Sequence, residues 1–218
     1  MVFRNYVSRS SLPRSFKRRK LSEGDGEIHI AYVGCITSLL RESHYYLLNI
    51  FKKLASQKLH IHIHPTSNLV TRSSSAYKEL AAKSEFMHYH HMNRRKLLKQ
   101  LTRYDYGWAG LNATRNRAHL EIALPNKVIE YVACGLPFLA FPHEAIKYFI
   151  ERNGVDIVGE NVDDLALQLG EVDPSEFRSN LEKCRQGVII EEKIGQLIEF
   201  YRQVVEKFTP KFSTPRGF

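Results

Sequence analysis

The stretch Ala123-Leu124-Pro125-Asn126-Lys127-Val128-Ile129-Glu130-Tyr131-Val132-Ala133-Cys134-Gly135-Leu136-Pro137 decides the reading of this chain. A proline-bearing loop leads into a helix start, an acid follows one turn later, a glycine stops the helix, and a buried strand begins. Lys127 falls in the first helical turn, where backbone amides without intrahelical acceptors form an anion site. Glu130, three residues on, faces the same mouth and can accept hydrogen bonds from hydroxyls. A cation and amides beside a hydroxyl-accepting carboxylate suit a ribose-diphosphate. The plainer alternative is a capped helix with no ligand.

On either side the chain alternates between two hydrophobic periods. Ile28 to Val33 is a β-type run ending at Gly34, and Leu47, Ile50, Phe51 and Leu54 recur at helical spacing after Ser43. Leu59 to His64 reads as strand closed by Pro65, Ser75 to Lys83 as helix, and Phe86 to His90 as strand. Arg94 to Thr102 reads as helix capped by Asn93, and Tyr104 to Ala109 as strand. Asn126 to Cys134 is helix, Leu136 to Phe141 strand, Ala145 to Glu151 helix and Val155 to Val158 strand, with a further helix after Asn161. Asp173-Pro174-Ser175-Glu176 starts a helix that stops near Gly187, and a last helix carries Ile194, Leu197, Ile198, Tyr201, Val205 and Phe208 on one face. Strands alternating with helices through short loops predict an α/β, Rossmann-like, doubly wound parallel sheet of about six strands with C-terminal helices. Ligands bind such sheets at the carboxyl ends of the strands, here after Val33, His64, His90, Ala109 and Phe141. The expected organisation is a basic arm or linker over 1–26, the Rossmann-like domain over 27–187, and a C-terminal helix and tail over 188–218.

Composition narrows the function classes. The chain has 218 residues, 43% hydrophobic and 25% charged, which excludes collagen-like, coiled-coil and wholly disordered proteins. The apolar stretch from Val132 to Pro142 is too short to span a bilayer and contains Gly135 and Pro137. Cys35, Cys134 and Cys184 are irregularly spaced, so neither a disulfide framework nor a zinc site is expected, and a cytoplasmic, reducing location fits. The net charge of +9 sits mostly in residues 1–20, whose seven basic residues have no acid among them; the remainder holds 25 basic and 23 acidic side chains. A near-neutral body argues against nucleic acid as a partner. The arm is open to three readings: a solvated leader, a contact to a membrane surface that would make the protein peripheral, or an organellar presequence.

The quoted stretch resembles the Pro-x-Lys-x-x-Glu-Tyr-x-Ala-x-Gly-x-Pro signature of GT-B glycosyltransferases, in their C-terminal, nucleotide-sugar-binding half, and is most similar to the group-1, GT4-like enzymes of polysaccharide biosynthesis. The resemblance extends over roughly residues 27–208. It includes Ile28 to Gly34 as first strand and glycine turn, Phe86 to Ala109 with Tyr104-Asp105-Tyr106-Gly107, Asn153 through Leu169, and Gln196 to Val205. The resemblance implies a single GT-B half-domain of a hexosyltransferase-type enzyme that takes a nucleotide-diphosphate sugar as donor substrate, needs no other cofactor, and passes the sugar to a glycan or lipid-linked acceptor. It implies that Glu130 grips the nucleotide ribose, that Lys127 and Asn126 lie near the diphosphate or sugar, and that the loop after Gly34 supplies a basic residue, which nominates Arg41. Arg41 and Lys127 would stabilise the leaving phosphate as the glycosidic bond breaks; the plain reading of Arg41 is a solvated loop charge. The family's first acidic position falls at Ile122, with Glu121 adjacent. No Asp-x-Asp occurs in the sequence, in keeping with metal-independent transfer.

Histidine is abundant. His60, His62 and His64 alternate along one strand and share a face, and His88, His90 and His91 end the next. Strand histidines two apart rarely close a tetrahedral site by themselves, so no metal is expected, and most are read as satisfied core or edge residues. The remaining reading is a functional histidine in the ligand crevice, with His90 or His91 the candidates, and His90 is named for it. Trp108 and Tyr106 could stack on a base, although a strand tryptophan is more commonly core. GT-B enzymes use two such halves, so a separate acceptor-binding chain is an expected partner. The alternative function is a non-catalytic nucleotide-sugar-binding or interaction module.

Overall fold

In a computed structural model the protein is described for residues 5–13, 16, 18–66, 74–112 and 117–208. Six strands, β1 (His29–Gly34), β2 (His60–Pro65), β3 (Met87–Tyr89), β4 (Tyr106–Trp108), β5 (Phe138–Ala140) and β6 (Asp156–Val158), form one sheet in the order β3-β2-β1-β4-β5-β6. All neighbours are parallel. The chain therefore winds outward from β1 in one direction and, after β3, in the other. The strand order reverses between β1 and β4, which makes that gap the ligand-binding position of the sheet.

The helices cover both faces. On one side α2 (Leu48–Ser56), α3 (Ser75–Ala81) and α8 (Val162–Glu171) bury Phe51, Leu54, Tyr77, Leu165 and Leu169 against Ile30, Tyr32, Ile61 and Trp108. On the other, α4 (Arg94–Leu101), α6 (Asn126–Ala133), α7 (Glu144–Asn153) and α9 (Arg178–Gly187) bury Leu98, Tyr131, Val132, Phe149 and Leu181 around Ala31, Val33 and Phe138. The predicted caps at Asn93 and Asp173 form, their side chains accepting from Lys96 N and Ser175 N, and Asn161 likewise caps α8 by accepting from Asp163 and Asp164 N. Trp108 is core, edge-on to Phe51 and Phe141. A short helix, α5 (Arg117–Ile122), carried no periodicity signal, because Ile122 stays 81% exposed.

The described part of the basic arm is not a free leader. Val7 is 3% exposed, exchanges backbone hydrogen bonds with Val188 and Ile190, and joins the core beside α6 and α9. Phe16 lies beneath the Arg185 guanidinium, and Ser22 Oγ donates to Asp105 Oδ1 at 2.6 Å. The charge count could not reveal these anchors because they are made by the apolar and hydroxyl residues between the arginines. The last helix, α10 (Ile194–Phe208), leaves Ile198, Tyr201, Val205 and Phe208 exposed. Among the described residues no helix is long and apolar enough to cross a membrane.

Candidate functional site

A cleft of about 1010 Å3 opens over the carboxyl ends of the strands. Its floor is Gly34 at the end of β1, its back wall the first turn of α6 with Asn126, Lys127 and Glu130, and its sides include His64, His91, His44 and Arg94. The decisive sequence stretch thus ends in the predicted place, and the reason is local. Pro125 is extended (φ −62°, ψ 135°) and supplies no side-chain cap to the leading amides of α6; its carbonyl accepts only from Val128 N, at 3.0 Å, further along the first turn. Behind them Gly107 lets α6 press onto β4, where a Cβ would fall 2.4 Å from the Tyr131 ring.

Tyr131 explains why an aromatic hydroxyl follows the acid. Where β1 and β4 diverge, Val33 N–H has no strand partner, and it donates instead to Tyr131 Oη at 3.0 Å. The same hydroxyl lies 3.2 Å from Ala31 O and 3.1 Å from Trp108 O, bridging both strands at the switch point. It holds the helix start over the opening of the sheet.

Lys127 is the chemical centre of the cleft. Its side chain reaches back from α6, so the residue is only 9% exposed, with Nζ 4.3 Å from the Tyr32 ring centroid. Gly34, at φ +146°, permits this approach; a Cβ there would stand 3.4 Å from Lys127 Cε and 3.2 Å from Tyr32 Oη. Nζ has no hydrogen-bond partner among the described residues. Burial pushes the ammonium down to about 7, opposed by the neighbouring Cys35 and Glu130. A desolvated, unpaired amine at a helix N-terminus is costly to the fold and is completed by an anion. His64 repeats the pattern: Nε2 meets Tyr104 Oη at 2.9 Å, while the buried Nδ1 has no partner among the described residues.

The other predicted site residues are placed as follows. Glu130 lines the cleft and pairs with Arg94 Nη1 of α4. Asn126 lines it and accepts a hydrogen bond from Asn5 of the arm. Gly34 forms the floor. Arg41 is exposed in the loop between β1 and α2, where its carbonyl accepts from Asn112 Nδ2 at 3.0 Å; its side chain does not line the cleft. His90 also lies outside the lining, because its ring turns to His62, Nε2 to Nδ1 at 2.9 Å, and the neighbouring His91 takes the cleft position. Glu121 accepts from Glu144 N at the start of α7 and is not in the cleft. Arg94, Asn5, His64 and His44 were not read from the sequence as cleft residues. The alternation His60-His62-His64 was the one available signal for His64.

No protein-family profile and no curated protein sequence matches the chain. Solved structures do. The chain is similar to sucrose-phosphate synthase from Thermosynechococcus elongatus, with TM-score 0.63 at 13% identity over 93% of this chain and 52% of that one. It is similar to TarM, with TM-score 0.54 at 15% identity over 91% and 37%. It is also similar to the pneumococcal O-GlcNAc transferase GtfA, solved with UDP and GlcNAc, with TM-score 0.55 at 14% identity over 93% and 38%. The fold is that of a GT-B half-domain. The chain spans about half, or less, of the length of these structures.

Proposed function

We propose that this GT-B half-domain binds the nucleotide-diphosphate sugar of a glycosyltransferase, in the group-1, GT4-like style, and that a second Rossmann-like half supplies the acceptor. The observation that carries the reading is Lys127: a buried amine without a partner, in the first turn of the helix that faces the switch point of the sheet. A diphosphate placed there would take the α6 amides and Nζ as donors and restore the proton that burial disfavours. Asn126 would lie against the diphosphate or sugar. Glu130 would exchange Arg94 for the ribose hydroxyls, and the released guanidinium, 60% exposed, would remain at the rim as a further cation. As the glycosidic bond breaks, charge grows on the leaving diphosphate, and Lys127 is positioned to stabilise it without a metal ion. Arg41 would join only after the loop between β1 and α2 closes over the donor.

Calorimetric titration of the full chain with UDP, GDP and ADP tests the reading. Saturable binding of one of them, weakened about tenfold by Glu130→Ala through loss of the ribose hydrogen bonds, is the expected result. A folded chain that binds none of the three would overturn it and leave the interaction-module alternative.

A further inference from the structure

His29 and His60 lie on the sheet face that α4 overlies, at the opposite end of β1 and β2 from the cleft. His29 and His60 open neighbouring strands in register, and their rings stack at 4.5 Å with 6° between planes. Their Nε2 atoms point the same way. His29 Nε2 meets Asp25 Oδ2 at 2.9 Å, and His60 Nε2 meets Glu27 Oε2. Asp25 belongs to the helical turn Ser22–Asp25 ended by Gly26. One ligand atom each from Asp25, His29 and His60 lies within 4.8 Å of the other two.

We propose that Asp25, His29 and His60, with Glu27 as fourth ligand, bind a divalent transition-metal cation of the zinc class. The donor set is two imidazoles and two carboxylates, which suits a tetrahedral site with bonds of about 2.0–2.2 Å. Closing it requires the carboxylates, Glu27 above all, to draw inward, and these are the solvent-facing half of the set: the Asp25 and Glu27 side chains are 46% and 41% exposed, against 6% and 12% for His29 and His60. The exposed carboxylates also provide the entry path.

Acceptors behind both imidazoles are already present. Both Nε2 atoms can be free for metal only if both Nδ1 atoms carry the proton, and each Nδ1 has an acceptor behind it. His29 Nδ1 lies 2.8 Å from His62 Nε2, and His60 Nδ1 lies 2.9 Å from His88 Nε2. His62 Nδ1 passes the chain on to His90 Nε2 at 2.9 Å. With a cation bound, His29 and His62 both donate from Nδ1; without one, the series can run the other way, with His29 Nε2–H donating to Asp25. This site involves none of the residues proposed to hold a nucleotide, and its failure would leave the donor reading intact.

Titration of the full chain with Co2+, read by visible absorbance, tests it. The expected result is one saturable equivalent with the intense bands of a tetrahedral ion, displaced by Zn2+. Asp25→Asn lies on an exposed turn, keeps the fold, and should weaken binding by about 10- to 100-fold. His60→Gln should abolish the bands, and His88→Gln should cost about tenfold because His60 Nδ1 loses the acceptor behind it. In 15N spectra, Zn2+ should fix His62 and His88 as acceptors at Nε2. Absence of Co2+ binding, or binding that survives both Asp25→Asn and His60→Gln, would overturn the proposal. Carboxylate–imidazole hydrogen bonds alone would then account for the cluster.

Discussion

The cleft over the carboxyl ends and the histidine-bearing face of β1–β3 bury titratable groups in opposite ways. On the histidine face the rings satisfy one another: both nitrogens of His29, His60 and His62 have partners. In the cleft, Lys127 Nζ and His64 Nδ1 are shielded from water and left without partners among the described residues. A satisfied buried network is stable without a ligand, and a cation at Asp25, His29 and His60 would have to replace hydrogen bonds it already makes. An orphaned buried donor, by contrast, has no partner until a ligand arrives. His64 belongs to both regions, with one nitrogen on Tyr104 and the other unclaimed at the cleft.

The largest expected effect lies at that junction. Burial and the adjacent His90 hold His64 down to about 3, below its ordinary value of 6.5. The unfolded chain therefore binds the proton first, and stability is lost progressively as pH falls below about 6.5. By pH 4 the His64 contribution should be on the order of 3 kcal/mol, and His64→Phe should flatten that part of the acid limb in denaturant titrations. An unchanged acid limb would mean that the ring escapes burial before it titrates.

Next is Lys127. Lys127→Met should cost about 100-fold in nucleoside diphosphate affinity, the worth of a buried charge-assisted contact. It should also stabilise the free protein. The folded amine, held near 7, is penalised fully below that pH, and the penalty fades as pH rises toward the ordinary 10.5. Chemical denaturation at pH 6 and pH 9.5 should therefore show a larger gain from the mutation at pH 6. A mutant that loses both affinity and stability would place Lys127 with the structural groups and erase the contrast.

The smallest effect is expected at Tyr131→Phe, about 1–2 kcal/mol, because the buried Val33 N–H loses its acceptor where β1 and β4 part. Nucleotide affinity should fall with it if that hydroxyl sets the position of α6. A stability loss with affinity intact would confine Tyr131 to the scaffold.

Much of this was legible in the sequence. Helix and strand periods are local, so β1, β2, α2, α4, α6 and the caps at Asn93 and Asp173 appeared close to their observed bounds. A crevice at the carboxyl ends of the strands followed from the alternation of strands and helices, and Lys127 with Glu130 followed from the helix start. The reversal between β1 and β4 did not, because strand order is set by pairing between distant segments. The pairings that complete the site did not appear, because they join residues far apart in the chain. Arg94 reaches Glu130 across 36 positions, and Asn5 reaches Asn126 across 121. Alternation put His60, His62 and His64 on one face, but only the parallel register of β1 with β2 sets His29 beside His60 and turns a histidine-rich strand into a cluster. Of the two histidines read as crevice candidates, His90 and His91, the structure selects the second: strand β3 ends at Tyr89, and the chain turns so that His91, rather than His90, meets the cleft.

The central claim is that Lys127 waits for an anion, and a proton-linked titration tests it most directly. Binding of the preferred nucleoside diphosphate would be measured calorimetrically at pH 8 in two buffers of different ionisation enthalpy. With the free amine titrating near 7, binding should draw close to one proton per site from the buffer, and Lys127→Met should abolish that uptake. Binding without proton uptake, or uptake that persists in the mutant, would contradict the account.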